Sequence, residues 1–304
     1  MNAPGLLVIN KPTGPTSRDV VDRVRRVTGI RRCGHAGTLD PLATGVLVIC
    51  LNNATRLVPY IQRMAKTYRA SFRFGVRSNT DDVEGELEQV PDAVPPTPDE
   101  LRSLLAQFRG EITQVPPKFS AVMVQGKRAY DLARQGEDFE LTAKTVRIDR
   151  FDLLNCRGRE WQALIQCGSG TYVRSLGRDV GELAGCGAVM TDLSREAIGR
   201  FTLAEAVRLE DLERDTWEDY LLHPIEAVRE LPAYTCSSRE AIWAANGRKI
   251  PVPSEKLPDG LEMALLTEEA KLIGIANYQK RSSVLSPRIV IRPTEQTAAN
   301  AANK

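Results

Sequence analysis

One carboxylate stands out by its setting. Asp40 lies in the middle of Gly34-His35-Ala36-Gly37-Thr38-Leu39-Asp40-Pro41-Leu42-Ala43-Thr44-Gly45-Val46-Leu47, a loop of glycines, small residues and one proline that runs straight into an apolar stretch. Pro41 fixes its own φ and biases Asp40 away from helical geometry, while Gly34, Gly37 and Gly45 permit sharp turns or the close approach of another backbone. Such a loop can hold a side chain in one pose. No Lys follows a glycine in the GxxxxGK[ST] pattern, so the loop is no phosphate cradle of that kind. No second carboxylate lies within the next forty residues, which leaves paired-carboxylate glycoside chemistry without a local partner. His35 has no Cys or Glu at a metal-ligand offset. What remains is an aspartate nucleophile, a general base, or an Asp that caps a turn, and Asp-Pro is common enough in turns to keep the last reading open.

The elements that must position this loop can be read on both sides of it. Leu6-Leu7-Val8-Ile9 predicts a short buried strand, and Thr16 or Ser17 offers an N-cap for a helix whose apolar face is Val20, Val21, Val24 and Val27 and whose stop is Gly29. After the loop, Val46 to Leu51 predicts a strand and Ala54 to Met64 a helix. Tyr68, Phe72 and Phe74 alternate with Arg69 and Arg73, which predicts a strand with one aromatic and one basic face. Asn79 to Gly85 is a polar turn. Thr97 and Glu100 form a capping box, with Pro98 in the first turn and Leu101, Leu104, Leu105 and Phe108 at helical spacing before Gly110. An extended segment follows over 114–121, then a basic turn and helix over 126–134 and strands within 140–168. Thr171 is the expected cap of a helix carrying Tyr172, Val173, Arg174, Leu176 and Val180. A cation in the first turn opposes the helix dipole, so Arg174 calls for a carboxylate partner.

Residues 1–80 carry thirteen Lys and Arg against three acids, a surplus of ten in a chain of 304 residues whose formal net charge is only +2. A basic end of this kind suits a polyanion, because neutralising phosphates releases condensed counterions; a solvated helix face is the plainer alternative. Six cysteines without a CxxC pair read as reduced thiols, and two histidines are too few for a histidine-built metal site. There is no apolar run near eighteen residues and no basic start followed by a long apolar region, so the expectation is a cytoplasmic protein without membrane attachment. From about Leu231 the texture changes to short strand-like runs, 263–266, 272–276 and 288–292, between Pro- and Gly-containing turns. Thr294 to Lys304, polar and alanine-rich, is expected to be a frayed terminus.

The loop resembles the signature of the TruB family of tRNA pseudouridine synthases, and other blocks follow in that family's order. Lys11-Pro12-Thr13-Gly14-Pro15-Thr16-Ser17 resembles its KPxGxTS element, Lys66-Thr67-Tyr68-Arg69-Ala70 its KxYxA strand, Asn79 to Gly85 its TDTxDxxG segment, Gly170 to Leu176 its GTYIR element, and Leu193 to Phe201 its LxRxxxGxF segment. The likeness covers about residues 5–230. It departs at Phe119, where a Tyr is usual, and at Met123, where a Lys is usual, so neither is given a binding role. The resemblance implies an α+β fold with a mixed, largely antiparallel central sheet and flanking helices over 1–230, and a small β-rich PUA-like RNA-binding domain over 231–293. It implies isomerisation of the TΨC-loop uridine of tRNA to pseudouridine, with the base flipped out of its stack. It also assigns roles: Asp40 as nucleophile or promoter of glycosidic cleavage, Arg174 as its ion-pair partner, Tyr68 as stacking platform and acceptor of the C5 proton, and Leu193 as the apolar side of the pocket. His35 would hold the flipped nucleotide and Lys11 contact or position the loop. Arg23, Arg26, Arg31 and Arg69 are the candidates for RNA contact. The expectation is a monomer that acts on the tRNA T stem-loop without metal or cofactor. Two rivals are an RNA-binding protein with a vestigial pocket, against which the intact Asp40, Tyr68 and Arg174 count, and an aspartyl-phosphate hydrolase, for which the DxD is missing.

Overall fold

The computed structural model describes residues 4–120, 122–124, 126–252 and 257–291. The expected frayed terminus lies outside these, as do Ala121 and Arg292. The chain opens with β1 (Gly5–Lys11) and helix α1 (Ser17–Thr28), then β2 (Cys33–His35) and β3 (Thr44–Leu51) on either side of the Asp40 loop. A 3₁₀ turn (Asn52–Leu57) and α2 (Val58–Arg63) lead to β4 (Lys66–Phe74). The hairpin β5 (Val76–Ser78) and β6 (Leu87–Gln89) precedes α3 (Pro98–Ala106) and β7 (Gly110–Gln114). Then come β8 (Met123–Val124), β9 (Lys127–Arg128), α4 (Ala129–Arg134), β10 (Lys144–Arg157) and β11 (Glu160–Cys167). Helix α5 (Val173–Leu183) and β12 (Ala188–Ile198) are followed by β13 (Phe201–Thr202) and β14 (Val207–Arg208). The C-terminal part holds β15 (Ala233–Thr235), α6 (Ser238–Ala245), β16 (Ile250–Pro251), β17 (Glu262–Leu266), β18 (Leu272–Gln279) and β19 (Val284–Val290).

The first sheet runs β14-β1-β3-β12-β4-β11-β10-β7, with β2 added to β3 and β13 to β12. It is mixed: β14 with β1 and β3 with β12 are parallel pairs, and every other pair is antiparallel. The fold is therefore α+β. Two faces of helix packing build its core. Val20, Val21, Val24 and Val27 of α1 join Leu7, Ile9, Leu47 and Ile49 in one cluster, and Leu101 and Leu105 of α3 with Val173, Leu176 and Val180 of α5 join Phe72, Phe151 and Trp161 in another. Thr16 caps α1 and Thr97 caps α3, each in a full capping box, and losing such a cap typically costs about 1 kcal/mol.

Three elements differ from expectation. The 54–64 helix is split because Pro59, in the first turn of α2, has no N–H to continue the preceding 3₁₀ turn. Helix α5 starts from Tyr172 rather than from a Thr171 cap. The Thr171 hydroxyl donates to the Gly168 carbonyl instead, and Gln114 at the end of β7 holds the N-cap residue, accepting from the Tyr172 N–H at 2.9 Å and donating to its carbonyl at 3.1 Å. In the C-terminal part, helix α6 forms from a Ser237–Glu240 capping box among what read as strands only. That part has its own core around Ile250, Leu265, Tyr278 and Leu285, while Ala264, Leu272, Ile275 and Ile291 pack with Leu6, Val8, Val46 and Val48 of the first sheet.

Candidate active site

A cleft of about 790 Å³ opens where the Asp40 loop, β4, β12 and the start of α5 converge, and Asp40, Tyr68, Arg174 and Leu193 all line it. At its centre the Arg174 guanidinium bridges two carboxylates, Asp40 at 3.0 Å and Asp82 at 3.2 Å. The same guanidinium donates to the carbonyls of Thr80 at 2.8 Å and Phe119 at 3.3 Å. Arg174 is 6% exposed and the Asp82 side chain 4%, whereas the Asp40 side chain is 38% exposed. Its Oδ2 is taken by Arg174, and Oδ1 has no partner among the described residues. A permanently charged, forked partner therefore orients an aspartate that lines the cleft.

The loop under Asp40 is braced from below. Lys11, fully buried, donates to the carbonyls of Pro12 and Pro15, both at 2.8 Å, and of Pro41 at 3.3 Å. Ser17 exchanges two hydrogen bonds with the Leu39 backbone, and the Gly14 N–H reaches the Pro41 carbonyl. Arg195, 1% exposed, donates to the carbonyls of Gly37, Thr38 and Val46. Gly37 and Gly45 have φ of 125° and 100°, so the glycines stand where the left-handed region requires them. Tyr68 and Leu193 meet on the floor from adjacent strands, β4 and β12. Burial pushes the Tyr68 phenol up, and the charge of Arg195 pulls against it.

The other expected residues sit elsewhere. Lys11 faces inward to carbonyls, so it is placed to hold the loop and not to touch RNA. His35 is half-buried at the end of β2, outside the lining of the cleft; burial first, then Arg195, holds its pKa below the usual value. Arg69 projects from the opposite face of β4 to Tyr68 and pairs with Glu196 at 2.7 Å, because side chains alternate along a strand. Arg26 and Arg31 are exposed and Arg23 half-buried, and none of the three has an ion pair among the described residues. The turn after β5 stands out in the sequence as resembling a family segment, but sequence reasoning gives its carboxylates no role in the site. Asp82 reaches Arg174, Glu84 lines the cleft, and Asp81 pairs with Arg178 at 2.7 Å and accepts from Ser175. Burial, then Asp82 and Asp40, raise the pKa of Glu84. Lys66, Arg128, Tyr130 and Arg134 also line the cleft. Among the described residues no cluster of His, Cys, Asp and Glu has the makings of a metal site, and no helix is long and apolar enough to cross a membrane.

Residues 25–173 match the family model described as TruB family pseudouridylate synthase (N terminal domain), and residues 174–230 that of the tRNA pseudouridylate synthase B C-terminal domain. The tRNA pseudouridine synthase B of Mycobacterium tuberculosis (strain ATCC 25618 / H37Rv) is 44% identical over 280 residues, covering 88% of this chain and 92% of that protein. This chain belongs to the TruB family. A further TruB-family relative, the tRNA pseudouridine synthase B of Arthrobacter sp. (strain FB24), is 44% identical over 253 residues, 81% of this chain and 82% of that one. The TruB fold is shared with more distant structures. A Cbf5-Nop10-Gar1 complex aligns with a TM-score of 0.73 at 24% identity over 96% of this chain and 86% of that one. An H/ACA RNP bound to a substrate RNA containing 2'-deoxyuridine aligns with a TM-score of 0.73 at 23% identity, over 95% and 85%.

Proposed function

We propose that this protein isomerises the TΨC-loop uridine of tRNA to pseudouridine, acting as a cytoplasmic monomer. The observation that carries this reading is the Asp40–Arg174 pair at 3.0 Å, facing a cleft floored by Tyr68 in a chain 44% identical to tRNA pseudouridine synthases. Residues 1–230 serve as the catalytic domain and 231–293 as a PUA-like RNA-binding domain. The target base leaves its stack, at a cost of a few kcal/mol, to enter the cleft.

Asp40 promotes cleavage of the bond between the ribose C1′ and the uracil N1. The freed base turns, C5 bonds to C1′, the C5 proton leaves and N1 takes up a proton. The product is an isomer of the substrate, so no electrons are exchanged with a second reactant. Arg174 aims Asp40, and Asp82 holds the other side of Arg174 so that the guanidinium cannot follow Asp40 as it moves. Tyr68 stacks on the displaced uracil, worth about 1–3 kcal/mol to a bound base, and its oxygen, in the deprotonated form, accepts the C5 proton. Leu193 closes the apolar side.

Tritium release from C5-labelled uridine in an unmodified tRNA transcript tests this directly. Wild-type protein is expected to release the label, whereas Asp40→Asn abolishes release yet binds the transcript within a few-fold of wild type. A parallel loss of binding and turnover would make Asp40 a structural residue of the loop.

A further inference from the structure

We propose that Arg195 is the positioning residue that sets the Asp40 loop above Tyr68, by gripping three backbone carbonyls of the loop with one buried guanidinium. This rests on the reading of Asp40 and Tyr68 given above. Strand β12 lies between β3 and β4, and Arg195, like its neighbour Ser194, is paired on both sides: with Gly45 across the parallel edge and with Tyr68 across the antiparallel one. From there its Nε donates to the Val46 carbonyl at 2.7 Å, and the two terminal nitrogens donate to Thr38 at 3.3 Å and Gly37 at 3.1 Å. Thr38 and Gly37 are two and three residues before Asp40, and Val46 lies on β3 just after the loop rejoins the sheet. One planar group thus fixes both ends of the segment that carries the aspartate.

Fold stability alone does not select this arrangement. A guanidinium 1% exposed, with carbonyls as partners and no carboxylate in an ion pair among the described residues, bears a desolvation cost that an apolar side chain of similar shape would avoid. The backbones of β12 and β3 meet closely beside it. A Cβ on Gly45 would stand 2.3 Å from the Arg195 carbonyl oxygen, so β3 and β12 close to a distance only a glycine allows. Arg195 also reaches the cleft, where it places a permanent positive charge beside the Tyr68 phenol. Arg195 favours the deprotonated hydroxyl. Cys167 from β11 and Asp40 from the loop act on that phenol in the opposite sense, and Lys66 on the same face of β4 and Arg174 at the start of α5 line the same cleft.

The test uses the full chain and two variants, Arg195→Lys and Arg195→Gln. It reads single-turnover pseudouridine formation per folded molecule against pH, transcript affinity, and folded fraction by circular dichroism. Both variants are expected to bind the transcript within a few-fold and to lose about a hundred-fold in rate, the scale of a displacement of roughly 1 Å in reacting groups. Arg195→Gln should also move the pH–rate profile to higher pH, while Arg195→Lys, which keeps the charge but not the fork, leaves the profile in place. Folded variants with wild-type rate and profile overturn the inference. So does loss of rate only in proportion to folded fraction, or failure of both variants to fold. Wild-type protein that makes no pseudouridine would instead sink the proposed function.

Discussion

Lys66 shows how a single burial sets a pH dependence. It lies two residues before Tyr68 on the same face of β4, is 7% exposed, and its ammonium donates to the Gln62 carbonyl. Burial first, and the charge of Arg195 second, brings its pKa down from 10.5 to about 8. Between those two values the unfolded chain holds a proton that the folded chain has released, so this residue makes stability rise with pH across that window. Below it, the buried ammonium is a standing cost. Urea unfolding of wild type and Lys66→Met at pH values near the two ends of that window should show the wild type gaining on the variant at the higher pH. A constant difference would mean that the ammonium is as well hydrated in the fold as out of it.

At the scale of elements, α5 is the part whose placement decides the site, and Gly177 decides how closely it packs. A Cβ there would lie 2.4 Å from the Phe72 ring, which is itself stacked on Trp161 at 4.2 Å and cannot retreat. Gly177→Ala gains helix propensity, about 0.5–1 kcal/mol, but overpacking costs about 1–3 kcal/mol. The expected outcome is a lower melting temperature, and a loss of turnover larger than the loss of transcript binding, because Arg174 lies one turn earlier on the displaced helix. A raised melting temperature would show that propensity wins and that the helix is not tightly seated. Much of this architecture could be read from residue order. The caps of α1 and α3, the alternation along β4 and the stiffness of the Asp40 loop are local properties, and local chemistry decides them. Asp82 and Arg195 were not legible in the same way. Asp82 becomes a partner of Arg174 only because α5 brings Arg174 to the turn after β5, and Arg195 reaches the loop only because β12 inserts between β3 and β4. The Ser237–Glu240 box of α6 was local, yet the apolar runs after it drew the reading toward strands.

At the scale of the whole molecule, folding redistributes the charge that the linear sequence concentrates near the N-terminus. Arg69 and Arg73, which read as a basic strand face, and Arg77 on β5 each meet an acid from later in the chain, Glu196, Glu160 and Glu182. Exposed pairs of this kind contribute about 0–1 kcal/mol to stability, but they cancel field, so this sheet face is a poor phosphate surface. Within α1, Asp22 pairs with both Arg18 and Arg25 and offsets one of their two charges. Arg23 and Arg26 have no ion pair among the described residues, and with Arg31 beyond the helix they leave unpaired charge on and just after the element whose N-cap, Thr16, lines the cleft. For the polyanion footprint expected from composition in residues 1–80, we propose α1 and the turn after it as the surface. Reversing the charge at Arg23 and Arg26 together should weaken transcript binding more at low salt than at high. It should also flatten the dependence of affinity on salt, by roughly one unit of log–log slope for each phosphate the helix no longer neutralises. Reversal at Arg69 should do neither, since Glu196 already occupies its guanidinium. Equal weakening at both salt concentrations, or an Arg69 variant that behaves like the α1 pair, would move the RNA path off this helix and back onto the sheet.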